Sequence, residues 1–532
     1  MTSNQPETPE PTEEHAVARP EDAAGQSASD KPDKLAEVAE SEGLSTARKI
    51  RFAFLLLILL VVAGVALYRY VDRRTAETER QQQLAEALGE ARGELSAMRP
   101  LEALQVLQRA AELEPANQDV ARLAVAALYA SGQMEPALAE FNRLSQGLVA
   151  EIHQGGREYI RRCGLLWNLA RRITTGADSD RQRALALCRW FALYLMPLET
   201  APEPGEPVLV ALQGYGRRRQ MAWTYVALAR QVDVPCVVVV TDEEGTADHP
   251  LIEVHPREGE PFLLDPWRAV PVMDQDSGEL LSLENVRADP AAFARWLALA
   301  GLPADPETEP FASARRLIAA HPAAMDARFG AFEQALMVLQ EHPRLVLTPA
   351  RPEPEAAEDL WEYPEQVLSS AHSPEALDRA YQAARLVAPG RNKQLLGDFQ
   401  GAAQIYSAMA QDLESKLAEA DVESAATAIG QALEDVHFYQ GTNLHEAGRL
   451  EAAQERISRY LEQYPDGRWQ PLARVLLADI RAAEGATQAW TNLPPSRRLY
   501  GALREKGLLP GPRVVGAAGG VPADSAIATQ AR

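Results

Sequence analysis

The feature that most constrains this chain is an uncharged apolar run from Phe52 to Tyr68 in a sequence of 532 residues. Seventeen residues in a helix span about 26 Å, close to the shortest length that crosses the hydrocarbon core of a bilayer. The run starts about fifty residues into the sequence and is followed by arginines, unlike a cleavable signal peptide. The pattern therefore predicts a retained, single transmembrane helix within residues 48–74.

The composition limits the possible partners. The formal net charge is −22 at pH 7, and residues 1–47 contain 11 acidic against 3 basic side chains. Nucleic acid is not expected as a partner, because binding to phosphates needs a basic surface. Since the acidic segment also has few large apolar residues, we expect residues 1–47 to form a disordered tail.

The orientation of the anchor is weakly encoded. Three basic residues lie on each side of the apolar run: Arg48, Lys49 and Arg51, then Arg69, Arg73 and Arg74. The charge count therefore decides little, but a tail before the anchor and folded sequence after it favour a cytoplasmic N-terminus. We expect the main domain to be extracytoplasmic, in the periplasm if the Ala- and Arg-rich chain is bacterial.

Residues 75–150 are rich in helix-forming residues with helical spacing of the apolar positions. A pattern recurs after 34 residues: Ala103, Leu107 and Ala110, then Ala137, Phe141 and Leu144. A helix–turn–helix unit of this period resembles the tetratricopeptide repeat, without that family's early aromatic positions. Generic antiparallel helices are the alternative interpretation.

A second block with the same character occupies residues 390–490. Its matching positions are Gly397, Ala402 and Tyr406, followed by Gly448, Ala453, Ile457, Tyr460 and Pro465. Stacked helix pairs of either kind present concave surfaces, so protein or peptide partners are expected. Residues 276–389 are predicted to be a helical or mixed connecting region, and residues 491–532 a loose tail.

Residues 151–275 have a different pattern, with two helical stretches and then the segment "ALQGYGRRRQMAWTYVALARQVDVPCVVVV" (Ala211–Val240). The short stretches "HPLIEVHPREG" and "EPFLLDPWRAV" follow and are typical of strands. Helices followed by consecutive strands predict an α+β unit. The expected fold class is therefore mixed and mainly α, with one α+β domain between two helical blocks.

The order of these motifs resembles the core of the transglutaminase-like family of papain-like cysteine enzymes, over about 120 residues. In that family a cysteine two residues after a glycine begins a helix, and a histidine and an aspartate from the following strands complete the triad. By this resemblance Gly216 matches the glycine, His249 the histidine and Asp265 the aspartate. The cysteine position falls on Arg218, whose guanidinium cannot act as a nucleophile.

The resemblance therefore implies a catalytically inactive domain with vestigial positions Arg218, His249 and Asp265. Cys163, Cys188 and Cys236 cannot substitute by position, and buried free thiols or a Cys163–Cys188 pair are both compatible with the sequence. The alternative is an active hydrolase or amide-bond enzyme that uses His249 and Asp265 with another nucleophile or with water.

Three like charges, Arg217, Arg218 and Arg219, stand where the helix dipole disfavours cations. They could bind an anionic ligand together with His249, since guanidinium groups suit carboxylates and phosphates. Arg218 could instead pair internally with Asp265 or Glu253, or the three could form a solvated turn. No metal site is expected, because the resemblance accounts for His249, and no cofactor is expected.

Overall fold

The computed structural model describes residues 46–96, 99–131, 133–144, 154–199, 205–240, 249–299, 311–325, 329, 333, 345–347, 357, 359–370, 388–420, 422–485, 490, 493–506 and 509. This part of the chain is mainly helical, with a small sheet and one long apolar helix. The chain divides into two compact units, Met1–Arg80 and Gln81–Arg532. The predicted tail lies almost entirely outside the described residues.

Helix α1 (Thr46–Ser96) contains the apolar run. Its large hydrophobic side chains are exposed from Phe52 to Val71. An exposed apolar surface of this size marks a membrane or protein contact, and the helix is long and apolar enough to cross a bilayer. One candidate membrane span is therefore present, as the sequence predicts.

Three helices follow in the second unit: α2 (Pro100–Leu113), α3 (Gln118–Ala130) and α4 (Met134–Leu144). The recurring positions Ala103, Leu107, Ala137 and Phe141 are buried between them. The small residues Ala103 and Ala137 allow close approach of neighbouring helices, and Leu107 and Phe141 fill the space between them.

The middle of the chain begins with helices α5 (Gln154–Ile173) and α6 (Asp180–Tyr194). The short strand β1 (Met196–Pro197), helix α7 (Pro207–Gln213), strand β2 (Tyr215–Gly216) and helix α8 (Arg218–Gln231) come next. β1 and β2 pair in parallel, with Pro197 opposite Gly216. This pairing places the residues after β1 beside the beginning of α8.

A six-stranded sheet follows, built from β3 (Cys236–Val240), β4 (Leu251–Val254), β5 (Phe262–Asp265), β6 (Val270–Pro271), β7 (Arg315–Ile318) and β8 (Asp359–Leu360). Its order is β6-β5-β4-β3-β7-β8, and all neighbours are antiparallel except β7 and β8. Helix α8 packs against α5, α7 and β3. The valine-rich β3 is thus a central strand.

The sheet extends beyond residue 275, the end of the α+β region in the sequence-based prediction. Strand β7 pairs with β3, with Val239 opposite Arg316, although the two strands are far apart in sequence. Helices α9 (Leu283–Ala288) and α10 (Pro290–Ala298) and two 3-10 turns (Phe311–Ser313, Pro322–Met325) lie between β6 and β8. A central strand needs partners on both edges, and the short β7 carries no alternating pattern that would have revealed it.

Seven helices occupy the described C-terminal part: α11 (Tyr363–Ser370), α12 (Ala388–Leu395), α13 (Phe399–Ala418), α14 (Glu423–Glu446), α15 (Leu450–Gln463), α16 (Gln470–Ala483) and α17 (Pro495–Glu505). α14 and α15 approach so closely that a Cβ on Gly441 would lie 2.3 Å from Ile457 Cδ1. This contact explains a glycine inside the longest helix of the block.

Residues 495–505 contradict the prediction of a loose tail from residue 491. They form α17, in which Arg497, Leu499, Tyr500 and Leu503 are buried. Its apolar residues Leu499, Tyr500 and Leu503 follow helical spacing, so the signal was present and was overlooked in a segment of 11 residues. Residues 510–532 lie outside the described part of the chain.

Candidate functional site

Three elements bring Arg218, His249 and Asp265 together. Arg218 is the first residue of α8, His249 lies just before β4, and Asp265 is the last residue of β5. The antiparallel pairing of β4 with β5 places the start of one beside the end of the other. The beginning of α8 reaches the same point because β2, immediately before it, pairs with β1.

The three side chains form a continuous hydrogen-bonded chain. Arg218 Nη1 lies 3.1 Å from His249 Nδ1, and His249 Nε2 lies 3.0 Å from Asp265 Oδ2. A guanidinium only donates, so the contact with Arg218 requires a lone pair on Nδ1 and places the imidazole proton on Nε2. Arg268 Nη1 also lies 3.1 Å from Nε2, but its shorter contact is with Asp265 Oδ2, at 2.5 Å. His249 therefore donates to Asp265 and has no lone pair left for another group.

Arg218 has two further contacts. Its Nη2 lies 2.9 Å from Glu199 Oε1, and its Cζ lies 5.3 Å from the centre of the Trp267 ring. The hydrogen-bond partners of the guanidinium are therefore His249 and Glu199, and the alternative in which Arg218 pairs with Asp265 or Glu253 is wrong. The carboxylate that pairs with Arg218 is that of Glu199, which follows β1. It lies near Arg218 because β1 pairs with β2, the strand immediately before α8.

Asp265 is fully buried and accepts from three donors. Besides His249, Arg268 Nη1 lies 2.5 Å from Oδ2, and the backbone N–H of Arg268 donates to Oδ1 over 2.9 Å. Burial alone would raise the pKa of Asp265, but the His249 imidazole and the Arg268 guanidinium hold that pKa well below its ordinary value. The carboxylate is therefore ionised and fixed.

The guanidinium groups of Arg218 and Arg219 lie over different aromatic rings, those of Trp267 and Tyr363. The backbone N–H of Arg217 donates to Gln220 Oε1 over 2.8 Å at the helix start. The guanidinium of Arg219 lies over the ring of Tyr363, 5.8 Å from its centre. All three arginines are partly buried, which argues against a freely solvated turn.

All three cysteines are free thiols. Cys163 and Cys188 belong to different hydrophobic clusters, so they do not form a disulfide. Burial raises the pKa of Cys163 and of Cys236 to about 12, and raises that of Cys188 further. None of the three thiols has the environment of an activated nucleophile.

Glu253, a neighbour of His249 in sequence, takes part in a separate network. Its Oε2 lies 2.6 Å from Arg316 Nε on β7 and 3.2 Å from His255 Nε2. Burial opposes ionisation of Glu253, but the hydrogen bonds from His255 and Arg316 lower its pKa to about 2. Within the described ranges, no three His, Cys, Asp or Glu side chains are grouped as metal ligands.

Sequence reasoning missed three groups that complete the site: Glu199, Trp267 and Arg268. Arg268 follows Asp265 by three residues in the motif "LLDPWRAV", a spacing that permits an ion pair within one turn. Glu199 carried no sequence signal, because its approach to Arg218 depends on the pairing of two two-residue strands.

No protein-family model, curated protein or solved structure matches the chain.

The burial of Asp265 leads to a test of stability. Asp265→Asn should lower the free energy of unfolding by about 3 kcal/mol near neutral pH, because it leaves the Arg268 guanidinium without its partner. The folded-state pKa lies below the unfolded value of about 3.9, so the stabilisation is present above that pH and is lost as the pH falls towards the folded value.

Urea unfolding of the full chain in detergent at about pH 7 and about pH 3 measures both effects. The variant should lose less stability in acid than the natural protein. Asp276→Asn, which changes an exposed aspartate in the turn after β6, is the matched control and should behave as the natural protein. Equal stability of the Asp265→Asn and Asp276→Asn variants at neutral pH would contradict the role given to Asp265.

Proposed function

We propose that this chain is a membrane-anchored scaffold or binding protein whose middle domain is a catalytically inactive relative of the transglutaminase-like enzymes. Two blocks of tetratricopeptide-like helices flank that domain and bind protein or cell-envelope partners. The anchor is the apolar part of α1, and the main domain lies outside the cytoplasmic membrane.

One observation carries the inactive assignment: Arg218 is hydrogen-bonded to Nδ1 of His249. In the related enzymes, the group at this helix start is the nucleophile, and the histidine accepts its proton. Here the group is a guanidinium, which is a permanent donor and has no nucleophilic electron pair. The Arg218–His249–Asp265 chain keeps the order of a catalytic triad and removes the reacting atom.

The alternative enzyme would require His249 to act as a base towards water or another nucleophile. Its Nδ1 already accepts from Arg218, and its Nε2 is directed at Asp265. The three thiols are unsuitable because burial raises the pKa of each. No contact in the described part of the chain favours catalysis over binding.

An anionic ligand at Arg218 is compatible with these contacts if it replaces Glu199. The Glu199 side chain is 64% exposed and that of Arg218 is 34% exposed. An ion pair at this level of exposure contributes about 0–1 kcal/mol, so a ligand carboxylate could compete with it. Trp267 would keep the guanidinium in place during the exchange.

The C-terminal helical block uses part of its surface within the chain. Tyr194 of α6 hydrogen-bonds to His445 of α14 over 2.5 Å, and Arg189 of α6 contacts Asp479 of α16 over 2.7 Å. Partners would therefore bind to the faces of α13 and α15 that these contacts leave open. Exposed Leu417, at the end of α13, lies in that region.

The inactive assignment leads to a direct chemical test. Arg218→Cys should place a thiol at the start of α8 beside His249, where the helix dipole and the imidazole favour the thiolate. We expect this thiol to react with iodoacetamide at about pH 6 at least about tenfold faster than an ordinary exposed cysteine. Rates are measured by mass spectrometry of the alkylated peptide.

Arg217→Cys and Arg219→Cys are matched controls one residue away, and both should react at ordinary rates. Adding His249→Ala to Arg218→Cys should abolish the acceleration. If all three new thiols react alike, the triad-like interpretation of Arg218 is wrong.

Binding is tested by covalent capture of partners in intact membranes. We expect specific proteins to be cross-linked to the natural chain, and those held through the Arg218 pocket to be lost with Arg218→Ala. Arg143→Ala removes an exposed arginine of α4 and serves as the control. Failure to capture any specific protein with the natural chain would contradict a binding role.

Orientation is tested with reporter fusions in a bacterial membrane. Alkaline phosphatase becomes active only where its disulfides form, outside the cytoplasm. A fusion after residue 532 should therefore be active, whereas a fusion before residue 1 should be inactive. The reverse pattern would place the main domain in the cytoplasm.

A further inference from the structure

A buried arginine of the C-terminal helix α17 lies next to the site. Arg497 is 1% exposed, although a guanidinium is costly to remove from water. Its nitrogen atoms donate to five backbone carbonyl oxygens, those of Phe191, Ala192, Leu195, Trp267 and Ser496, at 2.6–3.3 Å. The side chain is therefore held by backbone groups.

Two of these carbonyls belong to the last turn of α6. Phe191 and Ala192 lie in the last turn of that helix; the Phe191 carbonyl also accepts from the Leu195 N–H over 3.2 Å, whereas the last carbonyls of a helix have no intrahelical donor. A cation is stabilised at this end by the helix dipole. Arg497 thus supplies a C-terminal cap to a helix about 300 residues earlier in the chain.

The two shortest bonds join the segments that build the site. Nη2 lies 2.6 Å from the carbonyl oxygen of Leu195, immediately before β1, and β1 leads to Glu199. Nη1 lies 2.6 Å from the carbonyl oxygen of Trp267, whose ring lies under Arg218. One guanidinium therefore connects the backbone that supplies Glu199 with the backbone that supplies Trp267.

Packing alone does not account for a cation here. Among the described residues, Arg497 forms no ion pair with a carboxylate. Burial lowers the pKa of Arg497 to about 10, and the negative charge of Asp265 opposes that shift. The group stays charged at neutral pH. An apolar side chain at this position would avoid the free-energy cost of desolvating a charge, but it would lack the planar set of N–H donors that binds the carbonyl groups.

We infer that Arg497 is a positioning residue that holds the Leu195 and Trp267 segments together and so sets the geometry around Arg218. Helix α17 is then part of the site, although it contributes no group that contacts His249 or Asp265. The inference concerns the site of the proposed function, but the arrangement of the two segments does not require that function to be correct.

Hydrogen–deuterium exchange of the full chain tests this inference. Arg497→Lys keeps the charge and loses the planar donors, so it cannot bridge both segments. We expect faster exchange in peptides covering residues 195–199 and 262–271, with α15 (Leu450–Gln463) unchanged. Arg498→Lys changes the exposed neighbour on the same helix and should alter neither region.

A second readout uses the thiol introduced by Arg218→Cys. Adding Arg497→Lys should slow its alkylation by iodoacetamide by about tenfold, since a displacement near 1 Å in a reacting pair can have an effect of that order or more. Adding Arg498→Lys should leave the rate unchanged. This readout reports the local geometry at α8 and does not follow from a general loss of stability.

The outcomes separate this inference from the proposed function. Local acceleration of exchange supports the positioning role, even if the Arg218→Cys thiol proves unreactive and the enzyme relationship is thereby rejected. A uniform rise in exchange over all helices would overturn the positioning role and leave Arg497 as a general stabiliser. Full protection of both segments in Arg497→Met, which retains a long unbranched stem but no donor, would also overturn it.

Discussion

The burial of the Asp265 carboxylate determines the arrangement of the site. A buried charge must be compensated, and His249, Arg268 and the Arg268 backbone N–H all donate to it. Once His249 donates through Nε2, its Nδ1 must accept, and Arg218 is the donor that meets it. Each polar group thus fixes the protonation or position of the next, from the sheet to the start of α8.

The same requirement extends to the C-terminal helices. Helix α7 ends at Gln213, whose carbonyl oxygen accepts from Tyr439 of α14 over 2.8 Å, and the carbonyl oxygen of Ala211 accepts from Arg391. Helix α6 ends against Arg497. Two helices that lead into the site are therefore capped by residues from the C-terminal part of the chain, and the middle region and these helices share one hydrophobic core.

The sequence was sufficient for features encoded in local patterns. The apolar run gave the long apolar helix, and helical spacing around Ala103 and Ala453 marked positions that are buried between helices. Arg218, His249 and Asp265 were singled out by the resemblance to the transglutaminase-like family, and their side chains lie within hydrogen-bonding distance of one another. In each case the informative residues have a side chain whose polarity or size restricts where it can lie in the fold.

The features that sequence analysis missed depend on contacts with backbone groups or with distant strands, which no residue pattern indicates. Arg497 binds backbone carbonyls, which every residue has, so no residue type near Phe191 or Trp267 could have indicated the contact. Glu199 was overlooked because its position depends on the pairing of β1 with β2. The pairing of β7 with β3 was missed for a similar reason, since β7 begins with two arginines and pairs with a strand that is far away in sequence.

The central proposal is that Arg218, hydrogen-bonded to the histidine–aspartate pair, stands in place of a reacting group. The most direct measurement is the tautomer of His249, read from the nitrogen chemical shifts of its imidazole in a histidine-labelled chain. The Arg218–His249–Asp265 contacts predict a proton on Nε2 and an unprotonated, hydrogen-bond-accepting Nδ1, with the Nδ1 signal altered by Arg218→Ala. A proton on Nδ1, or an Nδ1 signal unaffected by Arg218→Ala, would contradict the claim.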